Sequence, residues 1–136
     1  MIKNVLIGLT FLMFGTGAHS KDIDAGRMLD REVYEACARN TKTETNLRLC
    51  ISLESNVAVT VACHKFTRTE KNEKICLKGQ VPTDVAEGCS ANALTGQNEA
   101  YCLLLQLNRK AAETCHLAYQ KAEDEYVCFG RAAHGR

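Results

Sequence analysis

The chain has 136 residues with eight cysteines, one proline and no tryptophan, and its 17 basic side chains nearly balance its 16 acidic ones. This length suits one domain or a short array of repeated units. The balanced charge excludes the strongly basic footprint of a nucleic-acid binder or of a protein that binds anionic membranes.

The first twenty residues, 1–20, have the pattern of a secretory signal peptide. Lys3 supplies the positive start, and residues 5–14 form an apolar run of ten that small residues follow. Ten apolar residues are too few to span a bilayer, which needs about 20. We therefore expect cleavage after Ser20 and a single mature domain, residues 21–136, without a membrane span. The short signal favours a bacterial periplasmic or secreted protein.

Cysteine spacing organises the rest of the chain. All eight cysteines follow the signal, and every interval between consecutive cysteines is thirteen residues. Such regular spacing indicates an internal repeat, and an even number of cysteines in a small exported chain predicts disulfide bonds. The predicted half-cystines are Cys37, Cys50, Cys63, Cys76, Cys89, Cys102, Cys115 and Cys128.

The repeat is 26 residues long, because alternate cysteines have different surroundings. Every second cysteine has a threonine or lysine seven residues upstream, an asparagine or aspartate four upstream, and a glutamate three upstream. The first copy departs from this pattern, since Leu47 stands in place of the glutamate. The other cysteines share an apolar residue four positions upstream: Val33, Val59, Val85 and Ala111. The unit therefore occurs four times.

Helices are predicted along the whole repeat. A threonine ahead of an apolar run is typical of a helix start, because its hydroxyl accepts a hydrogen bond from a free N–H of the first turn. Helix starts are predicted near Thr43, Thr69, Thr95 and Lys121, and the preceding helices end shortly after Cys37, Cys63, Cys89 and Cys115. We predict an all-α, solenoid-like array of antiparallel hairpins with about five helices. The β-branched run 57–61 leaves a strand as the local alternative.

Helix geometry selects the disulfide pairing. Residues thirteen apart on one continuous helix are separated by about 20 Å, whereas a disulfide needs Cα atoms within about 7 Å. Cys50 therefore cannot bond Cys63 if the two share a helix, while Cys37 and Cys50 flank a predicted turn at 40–43. The predicted bonds are 37–50, 63–76, 89–102 and 115–128.

A competing register places turns inside 50–63, 76–89 and 102–115. The GQVP segment that ends at Pro82 supports this register, because glycine and proline interrupt helices. The segment 102–115, in contrast, contains strong helix formers and almost no turn residues. We therefore predict continuous helices between successive disulfide pairs, with a kink or a break in the third helix near Pro82.

Few side chains suggest chemistry. His64 and His116 each follow a cysteine, so each could act with a free thiol as nucleophile and base, or as a metal ligand. Disulfide bonds would leave no free thiols, so we prefer to interpret both residues as solvated histidines near helix C-termini.

The acidic residues 123–125 suit the positive end of a helix better than a carboxylate site. The apolar run 103–107 is predicted as core, with an exposed docking face as the alternative.

Sequence signatures of catalysis are absent. The chain has no CxxC, CxxCH, HExxH or GxSxG motif and no glycine-rich phosphate loop, so no catalytic, cofactor-binding or metal-binding residue is predicted. We expect an exported, non-enzymatic module that binds another protein, or has a structural role, through the extended surface of a repeat array. The alternatives are a periplasmic inhibitor or immunity protein of an exported enzyme, and a Cys/His-based enzyme or metal carrier.

Overall fold

The computed structural model describes residues 31–135, so the predicted signal peptide lies outside the described residues. The chain from Val33 onward forms a compact unit. Every regular element in the described range is an α-helix, and the run 57–61 begins a helix rather than a strand. The prediction of an all-α protein is confirmed.

Eight helices occupy residues 31–135, so the predicted count of about five is wrong. They are α1 (31–39), α2 (Glu44–Ser52), α3 (Val57–Phe66), α4 (Glu70–Gly79), α5 (Thr83–Ala91), α6 (Gly96–Leu105), α7 (Arg109–Ala118) and α8 (Ala122–His134). The predicted break near Pro82 is confirmed. Further turns at 53–56 and 106–108 contradict the prediction of continuous helices between disulfide pairs.

In each of the three turns between hairpins, one residue other than glycine has a left-handed backbone conformation. The residues are Glu54, Gln80 and Gln106, with φ of 46°, 45° and 46°. At the middle turn, the N–H of Gln80 donates to the carbonyl of Leu77 and the N–H of Val81 to that of Cys76, both at 3.1 Å. This pair of bonds satisfies the last carbonyls of a helix and ends it. Glycine usually occupies the left-handed position, and no glycine marks the turn at Gln106.

The predicted helix starts inside the hairpins are confirmed. Three threonines accept a hydrogen bond from the backbone N–H three residues later, at 3.2, 3.1 and 3.1 Å: Thr43, Thr69 and Thr95. Lys121 precedes α8 without such a bond, and the acidic first turn of α8 favours this helix start through the helix dipole instead.

The helices form two layers. Helices α2, α4, α6 and α8 lie side by side in one layer, which we call the even layer, and α3, α5 and α7 lie side by side in the odd layer. Consecutive helices α3 and α4, α5 and α6, and α7 and α8 pack across the two layers. The chain is therefore a repeat-like stack of four hairpins: α1–α2, α3–α4, α5–α6 and α7–α8.

One disulfide closes each hairpin, and all eight cysteines are bonded. The four bonds are those predicted from the spacing, 37–50, 63–76, 89–102 and 115–128, with Cα separations of 5.7, 5.5, 5.6 and 5.7 Å. Closing a loop of this size contributes about 3 kcal/mol by restricting the unfolded chain. The residue after the second cysteine of a hairpin enters the core, where Leu77, Leu103 and Phe129 are fully buried. Among the described helices, none is both long and apolar enough to cross a bilayer.

Candidate functional site

A buried glutamate joins each of the last three hairpins to the hairpin before it. Glu73, Glu99 and Glu125 lie in the first turns of α4, α6 and α8, and all three side chains are completely buried. In each glutamate, Oε1 accepts two hydrogen bonds from the preceding hairpin. One comes from a backbone N–H 31 residues earlier, and the other comes from an asparagine Nδ2 27 residues earlier. We call each such arrangement a carboxylate clasp, named by its glutamate.

The three clasps share one geometry. The backbone N–H distances are 2.7, 2.9 and 2.8 Å for the donors Lys42, Arg68 and Leu94. The amide distances are 2.8, 3.0 and 2.7 Å for the donors Asn46, Asn72 and Asn98. Each asparagine also donates to a backbone carbonyl of the next hairpin at 2.9 Å. One asparagine amide therefore makes two bonds across every clasped boundary.

The basic group at the second carboxylate oxygen differs between clasps. Arg68 Nε lies 3.1 Å from Glu99 Oε2, in an ionic contact without an aligned hydrogen bond. In the next clasp Leu94 occupies the repeat position of Arg68, and His116 Nδ1 lies 2.9 Å from Glu125 Oε2 instead.

In the Glu73 clasp, basic side chains occupy both the position equivalent to Arg68 and the position equivalent to His116. Lys42 Nζ lies 3.5 Å and His64 Nδ1 3.2 Å from Glu73 Oε2. A basic side chain can therefore reach the buried carboxylate from the loop of one hairpin or from the odd-layer helix of the next.

His64 and His116 thus occupy structural positions. Each lies near the C-terminal end of its helix, as predicted, with its side chain 38% and 31% exposed, respectively. Each imidazole contacts a buried carboxylate rather than solvent alone. No thiol remains for a Cys–His pair, because every cysteine is in a disulfide. Within residues 31–135, no three His, Cys, Asp or Glu side chains are grouped so that they could hold a metal ion.

Glu125 corrects our interpretation of residues 123–125 as residues that only match the helix dipole. Glu123 and Asp124 are exposed, but Glu125 is buried in a clasp. The available signal was the recurrence of glutamate three residues before a cysteine and directly after an asparagine or aspartate. That recurrence does not reveal burial, because burial depends on which hairpin covers the side chain.

The first and last hairpins each lack one of the two side chains that form a clasp. Asp124 occupies the position of the bridging asparagines and is exposed, while Leu47 occupies the position of the buried glutamates. The clasped carboxylates are closed off from solvent by the hairpins they join. A dissolved substrate could reach them only if two hairpins separated, and what each clasp does in the described structure is to join two hairpins.

The outward surface, in contrast, changes from repeat to repeat. Three repeat positions of the even layer show this change, and all their residues are exposed except the half-buried Ala100 and Gly130. They are Thr45, Arg48 and Ser52 on α2, Lys71, Lys74 and Lys78 on α4, Gln97, Ala100 and Leu104 on α6, and Glu123, Tyr126 and Gly130 on α8. This surface passes from basic to uncharged to partly acidic along the stack. An open cavity of about 290 Å³ lies between α2 and α4, and Lys71 and Lys74 line it.

The apolar run 103–107 divides between core and surface. Leu103 and Leu107 are buried, as predicted, whereas Leu104 is 67% exposed on α6. On the odd layer, Leu117 of α7 is 76% exposed. Each layer therefore presents one strongly exposed leucine in the C-terminal half of the stack.

Comparisons with protein-family models, with curated proteins and with solved structures found no match to this chain.

Proposed function

We propose that the protein is an exported, non-enzymatic module that binds another protein through the exterior of its helical array. The observation that carries this proposal is the contrast between repeat positions. Buried positions repeat their cysteine, asparagine and glutamate, whereas exposed positions change from one hairpin to the next. Repeat arrays that bind partners have this division, because the framework is reused while the surface sets specificity.

Rigidity supports a binding role. Four disulfides and three clasps hold the hairpins in place before any partner arrives. A surface that is already ordered loses less conformational entropy on binding, so more of its contact energy appears as affinity. Four disulfides are also typical of an oxidising, extracytoplasmic compartment. The partner is therefore sought in the periplasm or outside the cell, where the predicted signal peptide would deliver the chain.

Matched variants on the two layers test the proposal. Proteins crosslinked to the mature chain in an extracytoplasmic fraction would be identified and purified, and their affinities then measured. Leu104→Ser on α6 is compared with Leu117→Ser on α7, because both leucines are strongly exposed and lie on opposite layers. If one leucine anchors the interface, its variant loses roughly 10-fold or more in affinity, while the matched variant keeps the affinity of the original chain.

A charge-matched comparison separates contact from net charge. Lys71→Glu/Lys74→Glu alters the even layer, and Lys65→Glu/Lys110→Glu makes the same change in net charge on the odd layer. Loss of affinity in only one of these pairs would locate the binding layer. The proposal fails if no partner is crosslinked, or if a partner binds all four variants as tightly as it binds the original chain.

A further inference from the structure

The next hairpin covers the first disulfide. Cys50 Sγ lies 3.5 Å from the Thr60 hydroxyl of α3. Ala86 in α5 and Ala112 in α7 occupy the same repeat position as Thr60, and all three residues are buried. Small residues at this position let the next hairpin pack closely over the two following disulfides as well. No hairpin follows the Cys115–Cys128 bond within residues 31–135, so this bond lacks the equivalent cover.

The cysteines of the covered disulfides are more deeply buried than Cys128. Seven half-cystines are at most 2% exposed, and Cys128 alone is partly exposed. The residue before Cys128 on α8 is also more exposed than its repeat equivalents. Val127 is 50% exposed, although its repeat equivalents Leu49, Ile75 and Tyr101 pack against the core. Accessibility at Cys128 therefore belongs to a helix face that no hairpin within the described residues covers.

Helix α8 has anchors other than its disulfide. Glu125 is held by the clasp, and the Phe129 side chain is completely buried. The Tyr126 ring stacks on Tyr101, with the ring centroids 4.0 Å apart. These contacts would keep α8 docked after its disulfide opened, so the two sulfur atoms would remain close enough to bond again.

We propose that Cys128 is a thiol–disulfide exchange site for low-molecular-weight thiols, at which the Cys115–Cys128 bond opens and closes while the other hairpins stay intact. The thiolate of the small thiol attacks Cys128 Sγ, a mixed disulfide forms there, and Cys115 leaves as a thiolate that takes a proton from water. Cys115 can then attack Cys128 Sγ and expel the small thiol. Alternatively, a second small thiol attacks the small-thiol sulfur, which frees Cys128 and yields the oxidised dimer of the small thiol. Attack at Cys128 is favoured because Cys115 is buried.

The test treats the folded, oxidised chain with reduced glutathione under native conditions. Samples are quenched with iodoacetamide at intervals and mapped by mass spectrometry. We expect first a species with glutathione on Cys128 and alkylated Cys115, and then a species in which Cys115 and Cys128 are both alkylated. The other six cysteines should react at least about tenfold more slowly, because their bonds open only with larger unfolding. Circular dichroism of the two-thiol species should retain the helical signal.

A Cys115→Ser/Cys128→Ser variant provides the control. Its six remaining cysteines should react at the slow rate that they have in the original chain. Reaction of another pair first, equal rates for all four bonds, or first attachment of glutathione to Cys115 would each overturn the proposal. So would fast reaction of the six cysteines in the variant, because opening of the last bond would then not be local.

Discussion

Two boundaries of the stack pair a buried glutamate with different basic side chains. One lies between the second and third hairpins, and the other lies between the third and fourth. At the first, Arg68 reaches Glu99 Oε2 from the loop before α4 and also donates to two backbone carbonyls. At the second, Leu94 replaces the arginine and His116 reaches Glu125 from α7. The hydrogen bonds to Oε1 are the same at both boundaries. The repeat therefore fixes the asparagine–glutamate contact and leaves two positions from which a basic group can come.

The asparagine–glutamate contact gives the largest expected effect. Asn98→Asp removes the amide that donates to Glu125 and to the carbonyl of Ala122, and it places a second carboxylate beside a buried one. We expect a loss of about 3 kcal/mol or more in the free energy of unfolding, because a buried charge loses its donor. Urea denaturation measures this loss.

Asp124 provides a control at the equivalent repeat position. Asp124→Asn makes the reverse substitution at a residue that is exposed in the described part of the chain. We expect its free energy of unfolding to stay within about 0.5 kcal/mol of the original value. Similar effects of the two substitutions would mean that the asparagine does not join hairpins.

Exchanging the basic group gives the second prediction. Arg68→Leu copies Leu94 and leaves Glu99 without its ionic partner. We expect a loss of about 2 kcal/mol, less than for a fully buried pair because the Arg68 side chain is 40% exposed. Adding Ser90→His copies the arrangement around His116, so the double variant should recover at least half of the lost stability in urea. No recovery would show that the two boundaries are not interchangeable.

Two glycines at the same boundaries give the third prediction. A Cβ added to Gly88 on α5 would lie 2.9 Å from the Cα of Arg109 on α7, so the backbones would have to move apart. Gly88→Ala should therefore cost about 1–3 kcal/mol. At Gly96 the nearest atom is Asn72 Nδ2 at 4.0 Å, so Gly96→Ala should be neutral or stabilise by up to about 1 kcal/mol. Thermal unfolding of the two variants would reveal the difference, and equal melting temperatures would contradict the close approach of α5 and α7.

The left-handed turns give the smallest predicted effect. Glu54→Gly should stabilise the turn after α2 by about 0.5 kcal/mol, because glycine adopts the positive φ without steric cost. Gln80→Gly should gain less, since the Gln80 side chain donates to Ser55 Oγ at 3.2 Å. Urea denaturation of the two variants measures this order, and a larger gain for Gln80→Gly would contradict it.

The sequence predicted what depends on local chemistry and regular spacing. The capping residues Thr43, Thr69 and Thr95 marked the helix starts inside the hairpins, and the turns that precede them placed cysteines thirteen residues apart on neighbouring helices, which gave the correct disulfide pairing. The other premise of that pairing, one continuous helix between Cys50 and Cys63, was wrong, because α2 ends at Ser52 and α3 begins at Val57. The turn at 106–108 was missed because Gln106 adopts a left-handed conformation without a glycine to mark it. Asn108, whose side chain accepts from the N–H of Ala111 at 2.9 Å, was an available helix-start signal. The clasps were missed because burial of Glu125 depends on a neighbouring hairpin and not on its own helix.

The disulfide connectivity tests the stack of closed hairpins most directly. The oxidised chain would be denatured with its thiols blocked and then digested with trypsin and a glutamate-specific protease. The second protease is needed because Glu54 and Glu99 are the only charged residues inside 50–63 and 89–102, respectively. Peptides joined by 37–50, 63–76, 89–102 and 115–128 are the predicted result. A bond between Cys50 and Cys63, or any free cysteine, would contradict the stack of four closed hairpins.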